Sequence, residues 1–210
     1  MPKASAPPPA QGQSQDLQRA LRLVTFSVVF GLASGAVSVT TGLQDHSLGV
    51  FAVGLGVLAD VTGSATLIWR FRAEISDPAL SGRRERQSAV IVSLALAVTA
   101  IVLAAESAIA LAQGSQPAAS AVTLTAAALS LLVLTPLAIA KRRLGTKMTS
   151  RALQGDGALS GIGAATSFLA ITALILYQLL GWWWADRVTA LVVAGVAGVE
   201  AWRTVPRRHR

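Results

Sequence analysis

Long runs without a charged side chain constrain this fold more than any other feature. No charged residue occurs between Arg22 and Asp45, only Asp60 occurs in residues 47–69, and only Glu106 lies between Arg86 and Lys141. A membrane-spanning helix needs roughly 20 mostly apolar residues. Charged residues make up 13% of the chain, against about 25% in an average soluble domain. The sequence therefore predicts an all-α integral membrane bundle.

The apolar runs divide into six predicted transmembrane helices. We place them at about Leu21–Leu43, Leu48–Phe71, Ala89–Leu111, Ala121–Ala140, Ala158–Leu180 and Trp183–Trp202. The first twenty residues, MPKASAPPPAQGQSQDLQRA, have the composition of a disordered cytoplasmic tail. The expected domains are thus a disordered tail (1–20), a six-helix transmembrane domain (21–203) and a basic cytoplasmic tail (204–210).

The basic residues predict the orientation of these spans. Of the 18 Lys and Arg side chains, all but Arg187 lie in or directly beside four segments: the one before span one, the loop after span two, the loop after span four and the tail after span six. Lys and Arg collect in cytoplasmic loops, so both termini are expected in the cytoplasm and the protein in the plasma membrane as a multi-pass chain. We interpret these side chains as anchors beside anionic lipid headgroups, which explains the net charge of +8 without a nucleic-acid partner.

Few residues suit catalysis or metal binding. The chain has no cysteine, and its two histidines, His46 and His209, lie far from the acidic residue of span two. We therefore expect neither an enzyme nor a tightly bound cofactor.

Asp60 is the strongest candidate for a functional residue. At a rise of ~1.5 Å per residue, it lies ~18 Å from one end of span two and ~16 Å from the other, near the membrane midplane. The sequence places no Lys or Arg at this depth. A buried carboxylate there is a functional hypothesis by default, as a proton carrier or an ion ligand, although an interhelical hydrogen bond to Ser or Thr would also explain it.

Four further acidic residues fall at or near span ends, where a solvated carboxylate needs no further explanation. They are Glu106, Asp156, Asp186 and Glu200. Small residues are frequent in spans two and five, including a GxxxG at Gly157 and Gly161. Small residues allow close helix approach, so spans two and five are predicted to pack together near Asp60.

The chain resembles the cation diffusion facilitators over residues 20–203. The resemblance rests on the six-helix layout and on HSLGVFAVGLGVLADVTGSATL (46–67), GDGALSGIGAATSF (155–168) and GWWWADRVTALVVAGVAGVEAWR (181–203). It implies exchange of divalent cations such as Zn²⁺ for protons, and dimer formation. The family uses four ligands, one i, i+4 pair on each of helices two and five. Asp60 matches one of them, while Gly56, Leu159 and Gly163 occupy the other three positions and cannot bind metal.

The sequence therefore predicts a divergent cation transporter with a reduced site. Asp60 would hold a proton or an ion, and accessory polar residues would line the path: Thr62, Ser64, Thr166, Ser167, Asp156 and Asp186. Oxygen-only ligands favour Mg²⁺, Mn²⁺ or Na⁺ over Zn²⁺. Two alternatives stay open, namely a non-transporting subunit or scaffold that retains the fold, and a transporter of a non-metal substrate.

Overall fold

The computed structural model describes residues 11–44, 48–76, 81–114, 121–182 and 184–206. Within these ranges the chain forms six α-helices and no strand. They are α1 (Gln11–Gln44), α2 (Leu48–Ser76), α3 (Ser81–Ala112), α4 (Ala121–Lys147), α5 (Arg151–Leu180) and α6 (Ala185–Thr204). The predicted all-α class is confirmed.

Polar contacts show that successive helices run in opposite directions. Asp16 at the start of α1 forms an ion pair with Lys147 at the end of α4. Arg70 near the end of α2 contacts Glu85 near the start of α3 and Ser150 just before α5. These residues share one end of the bundle, which we call the basic end; the other is the opposite end.

Helices extend beyond the predicted spans at the basic end. The first begins at Gln11, so residues 11–20 are helical and the prediction of a disordered tail is wrong for them; residues 1–10 lie outside the described part. Leu17 and Ala20 are buried in the core, and Asp16 is held by Lys147. Hydropathy could not predict this extension, because it is stabilised by contacts between polar side chains on different helices, such as the Asp16–Lys147 pair.

Within the described residues, three helices are long and apolar enough to cross a membrane: Ser14–Ala36 in α1, Gly82–Ala112 in α3 and Arg151–Leu180 in α5. Large apolar side chains also face outward on other helices, such as Leu132 on α4 at 72% exposure and Val192 on α6 at 64%. A helix with apolar residues on its outer face is typical of a lipid environment. The chain is a membrane protein.

The α5 helix contacts four other helices, namely α2, α3, α4 and α6, and it carries much of the buried core. The predicted packing of spans two and five is confirmed, with Gly63 of α2 facing Leu159 and Asp156 of α5. The GxxxG glycines serve a different interface. Gly157 faces the backbone and side chains of the α4 residues Lys141 and Arg142, so it brings α4 and α5 together.

Candidate functional site: a buried ion pair below a polar cavity

A buried ion pair joins α4 and α5 inside the bundle. The Lys141 ammonium lies 2.6 Å from the Asp156 Oδ2 atom, and both side chains are fully shielded from solvent. Lys141 Nζ also donates to the hydroxyl of Ser160 at 3.0 Å and to that of Ser64 at 3.2 Å. The Ser64 hydroxyl in turn donates to Asp156 Oδ1 at 2.8 Å. We call these four residues the ion-pair network.

The local sequence explains how this network forms. Asp156 and Ser160 are four residues apart on α5, as are Asp60 and Ser64 on α2, so each pair shares a helix face. At Gly157 a Cβ would lie 2.9–3.1 Å from Lys141 and Arg142 atoms. This absence of a side chain lets α4 approach closely, and Lys141 then reaches inward.

The ion-pair network corrects three expectations drawn from the sequence. The sequence predicts Lys141 as an anchor at the lipid headgroups and Asp156 as a solvated carboxylate at a helix end, but both are buried. The sequence places no cation near the depth of Asp60, yet the Lys141 ammonium contacts Ser64, one helical turn from Asp60. A buried charge requires a partner, and each of these residues provides one for the other.

A second polar network lies at the basic end of the bundle. The Arg70 guanidinium is buried and forms ion pairs with Glu74 and Glu85. It also donates to the Ser150 hydroxyl at 2.7 Å, and this hydroxyl caps α5 by accepting from the Leu153 backbone N–H. Arg70 therefore fixes α2, α3 and α5 to one another. The Glu200 carboxylate similarly accepts from Arg142, so several basic side chains bind acidic neighbours and not lipid alone.

A cavity of about 220 Å³ lies next to the ion-pair network, on the side that faces the opposite end of the bundle. Residues from α1 to α5 line it, and the polar ones are Ser34, Asp60, Thr99, Glu106, Ser130, Thr166 and Ser167. Two carboxylates and five hydroxyls therefore face a space bounded elsewhere by apolar side chains. Such convergence of a few polar groups in an apolar pocket is characteristic of binding sites.

Asp60 lies at the floor of this cavity. The side chain is half-buried, and its Oδ1 atom is buried without a hydrogen bond from any residue in the described ranges. The prediction that an interhelical hydrogen bond to Ser or Thr explains Asp60 therefore has no support at this oxygen. One helical turn away, about 6 Å along the axis, Ser64 belongs to the ion-pair network.

Glu106 lies much farther from the basic end than Asp60. Val92 of α3 packs beside Gly63 of α2, which aligns the two antiparallel helices. Counting ~1.5 Å per residue from this contact places Glu106 ~16 Å beyond Asp60 toward the opposite end. The two carboxylates are therefore too far apart to bind the same ion, and Glu106 lines the outer part of the cavity.

The predicted accessory residues have different positions. Thr166 and Ser167 line the cavity, and both hydroxyls donate to the Gly163 carbonyl. Ser64 and Asp156 lie in the ion-pair network below it. Thr62 is exposed and donates to the Leu58 carbonyl of its own helix, so its prediction as a lining residue is wrong. Asp186 lies in α6, but its side chain is outside the described part.

The residues that line the cavity beside Asp60 include two that cannot bind metal. Leu159 and Gly163 line the cavity beside Asp60 without a donor atom in either side chain. Across the described residues, no three His, Cys, Asp or Glu side chains form a cluster that could hold a metal ion. The cavity instead offers one carboxylate at its floor, with hydroxyls around it.

Sequence reasoning missed Lys141 and Glu106 as site residues. Lys141 follows directly after an apolar run, where a cationic side chain is usually assigned to the headgroup region. The available signal was the glycine at 157, which permits close approach of the preceding helix. The sequence predicts Glu106 as a solvated carboxylate near a helix end, and its connection to Asp60 depends on the three-dimensional course of the cavity. No protein-family model matches the chain.

Proposed function

We propose that this protein is a membrane cation transporter that exchanges a cation for protons at Asp60. The observation that supports it most is the buried Asp60 Oδ1 atom, which has no hydrogen-bond donor in the described part of the chain and lies at the floor of a hydroxyl-lined cavity. An isolated carboxylate at such a site costs several kcal/mol. A proton or a bound cation removes this cost, and exchange between the two is coupled transport.

The proposal includes six membrane spans with both termini in the cytoplasm. The outward apolar side chains Leu132 and Val192 support it, because they extend the lipid-facing surface to α4 and α6. The contacts at the basic end also support it, because they give the helices alternating directions. The basic end then faces the cytoplasm of a plasma membrane.

The surroundings of Asp60 suggest the course of transport. A cation enters the cavity from the opposite end, passes Glu106 and reaches Asp60, where hydroxyl and water oxygens complete its shell. Toward the basic end, the ion-pair network and the packing of Gly155 against Val92 and Thr204 obstruct the path. Release on that side therefore requires α5 to move relative to α2 and α4, as alternating access demands.

The resemblance to cation diffusion facilitators concerns this arrangement and not the zinc site. Gly56, Leu159 and Gly163 replace three of that family's ligands. With hydroxyl oxygens as the neutral partners of Asp60, hard cations such as Mg²⁺, Mn²⁺ and Na⁺ fit better than Zn²⁺. The same three replacements favour the second candidate, a non-transporting membrane scaffold. In a scaffold, Asp60 has no role in ion movement.

Proton flux in proteoliposomes distinguishes the two functions. Purified protein is reconstituted with an internal pH dye and exposed to gradients of Zn²⁺, Mn²⁺, Mg²⁺ or Na⁺. We expect one of these cations to drive proton flux in the wild type, and Asp60→Asn to abolish it. Thr62→Ala is the matched control, because Thr62 lies on the same helix outside the cavity, and it should keep its flux. Absence of flux with every cation in folded wild-type protein would support the scaffold.

A further inference from the structure

The ion-pair network sets the charge at the cavity floor. When Asp60 is ionised it contributes one negative charge, while Lys141 and Asp156, which contact Ser64 one helical turn away, neutralise each other. No other charged side chain among the described cavity-lining residues lies at this level. Glu106 of α3 is the nearest in the cavity and lies ~16 Å away by helix rise, and α1 contributes Ser34 and apolar residues there. The floor therefore has a net charge of −1.

We propose that the floor of the cavity binds one monovalent cation of the Na⁺ class, and that Lys141 is the residue that discriminates against divalent cations. This inference rests on the proposed transport function and specifies its substrate class. A monovalent ion or a proton at Asp60 brings the buried charge to zero. A divalent ion would leave an uncompensated positive charge in a low-dielectric interior, where such a charge is costly.

Lys141 strengthens this discrimination by its position. Its ammonium is anchored by Asp156, Ser160 and Ser64, so it stays beside the floor and cannot extend into water. Because Lys141 neutralises Asp156, the ion meets one net negative charge at the floor and not two, which a monovalent ion compensates and a divalent ion exceeds. Asp156 offers the ion no free oxygen, because Ser64 contacts its Oδ1 atom and Lys141 contacts its Oδ2 atom.

The charge count predicts the outcome of three substitutions. Asp156→Asn leaves Lys141 and Asp60 as a neutral pair, so binding of Na⁺ should weaken at least about tenfold. The double variant Lys141→Met/Asp156→Asn restores a floor charge of −1 and should recover Na⁺ binding. Lys141→Met alone gives a floor charge of −2 and should improve binding of Mg²⁺ and Mn²⁺ relative to Na⁺ at least about tenfold.

Binding is measured on the full chain in detergent. The unfolding temperature is recorded against the concentration of Na⁺, K⁺, Mg²⁺, Mn²⁺ or Zn²⁺. A ligand that binds only the folded state raises it by mass action. In the wild type we expect Na⁺ or K⁺ to protect, meaning to raise the unfolding temperature, and we expect Asp60→Asn to remove this effect. Divalent ions should need at least about tenfold higher concentrations for the same rise. This comparison needs no network variant, so it remains decisive if one of them fails to fold.

The possible results separate the two proposals. Asp60-dependent protection with divalent ions preferred over Na⁺ and K⁺ would overturn the monovalent assignment and leave cation transport intact. Retention of full Na⁺ binding in folded Asp156→Asn would overturn the role of Lys141. No protection of the wild type by any cation, together with no flux, would overturn the transport function itself. Recovery of Na⁺ binding in the double variant after its loss in Asp156→Asn would support the charge count.

Discussion

Removing the Lys141 ammonium should destabilise the protein strongly. In Lys141→Met the Asp156 carboxylate stays buried and loses its partner at 2.6 Å, and among the described residues it keeps only the hydroxyl of Ser64 as a donor. Ser160 also loses the ammonium at 3.0 Å. Breaking a buried ion pair by removing one partner costs about 3–5 kcal/mol, and the complete burial of both side chains places this pair in that class.

The double variant shows whether this loss of stability comes from the unpaired Asp156 carboxylate. In Lys141→Met/Asp156→Asn the carboxylate is gone, while the Asn oxygen still accepts from Ser64. Replacing both members of a buried pair is often close to neutral, so the double variant should recover most of the lost stability. Unfolding free energies of the four proteins in detergent micelles give the coupling, expected to be at least about 2 kcal/mol. Additive effects of the two substitutions would refute the ion pair.

Three further predictions concern the packing and the helix ends. Lys147→Met should cost less than about 1 kcal/mol, because this lysine is 62% exposed in its pair with Asp16; a loss comparable to that of Lys141→Met would contradict the burial argument. Gly157→Val should cost about 1–3 kcal/mol by forcing α4 away, whereas Gly195→Val, where a Cβ meets no neighbour, should cost clearly less in the same unfolding assay. Ser150→Ala removes the cap of α5 and should cost about 0.5–2 kcal/mol, and an unchanged unfolding midpoint would argue against the cap.

The sequence predicted the helices better than their ends. Uncharged runs mark the apolar part of each helix, since hydropathy measures transfer into lipid. They could not mark Gln11 as the start of α1 or Ser76 as the end of α2, because ion pairs with other helices stabilise these polar extensions. Such pairs join residues far apart in the chain, as Asp16 and Lys147 do.

The candidate site could be predicted only in part for the same reason. Asp60 stands out because an acidic residue in the middle of an apolar run is costly in lipid. Its environment depends on four other helices, and no local pattern shows that Lys141 points inward while Thr62 points outward. A side chain one turn from a helix end can reach lipid headgroups or the interior, and the contact made possible by Gly157 decides between them.

Occupation of the cavity by a cation next to Asp60 is tested most directly by thiol labelling. The chain has no cysteine, so Ser130→Cys introduces a single thiol into the cavity wall. In reconstituted protein, Na⁺ should slow the reaction of this thiol with a small water-soluble maleimide, with K⁺ and choline as comparison ions at equal ionic strength. The account predicts that Na⁺ protection is present with Asp60 and absent in Ser130→Cys/Asp60→Asn. Equal labelling rates with Na⁺, K⁺ and choline, or protection that persists without the Asp60 carboxylate, would contradict it.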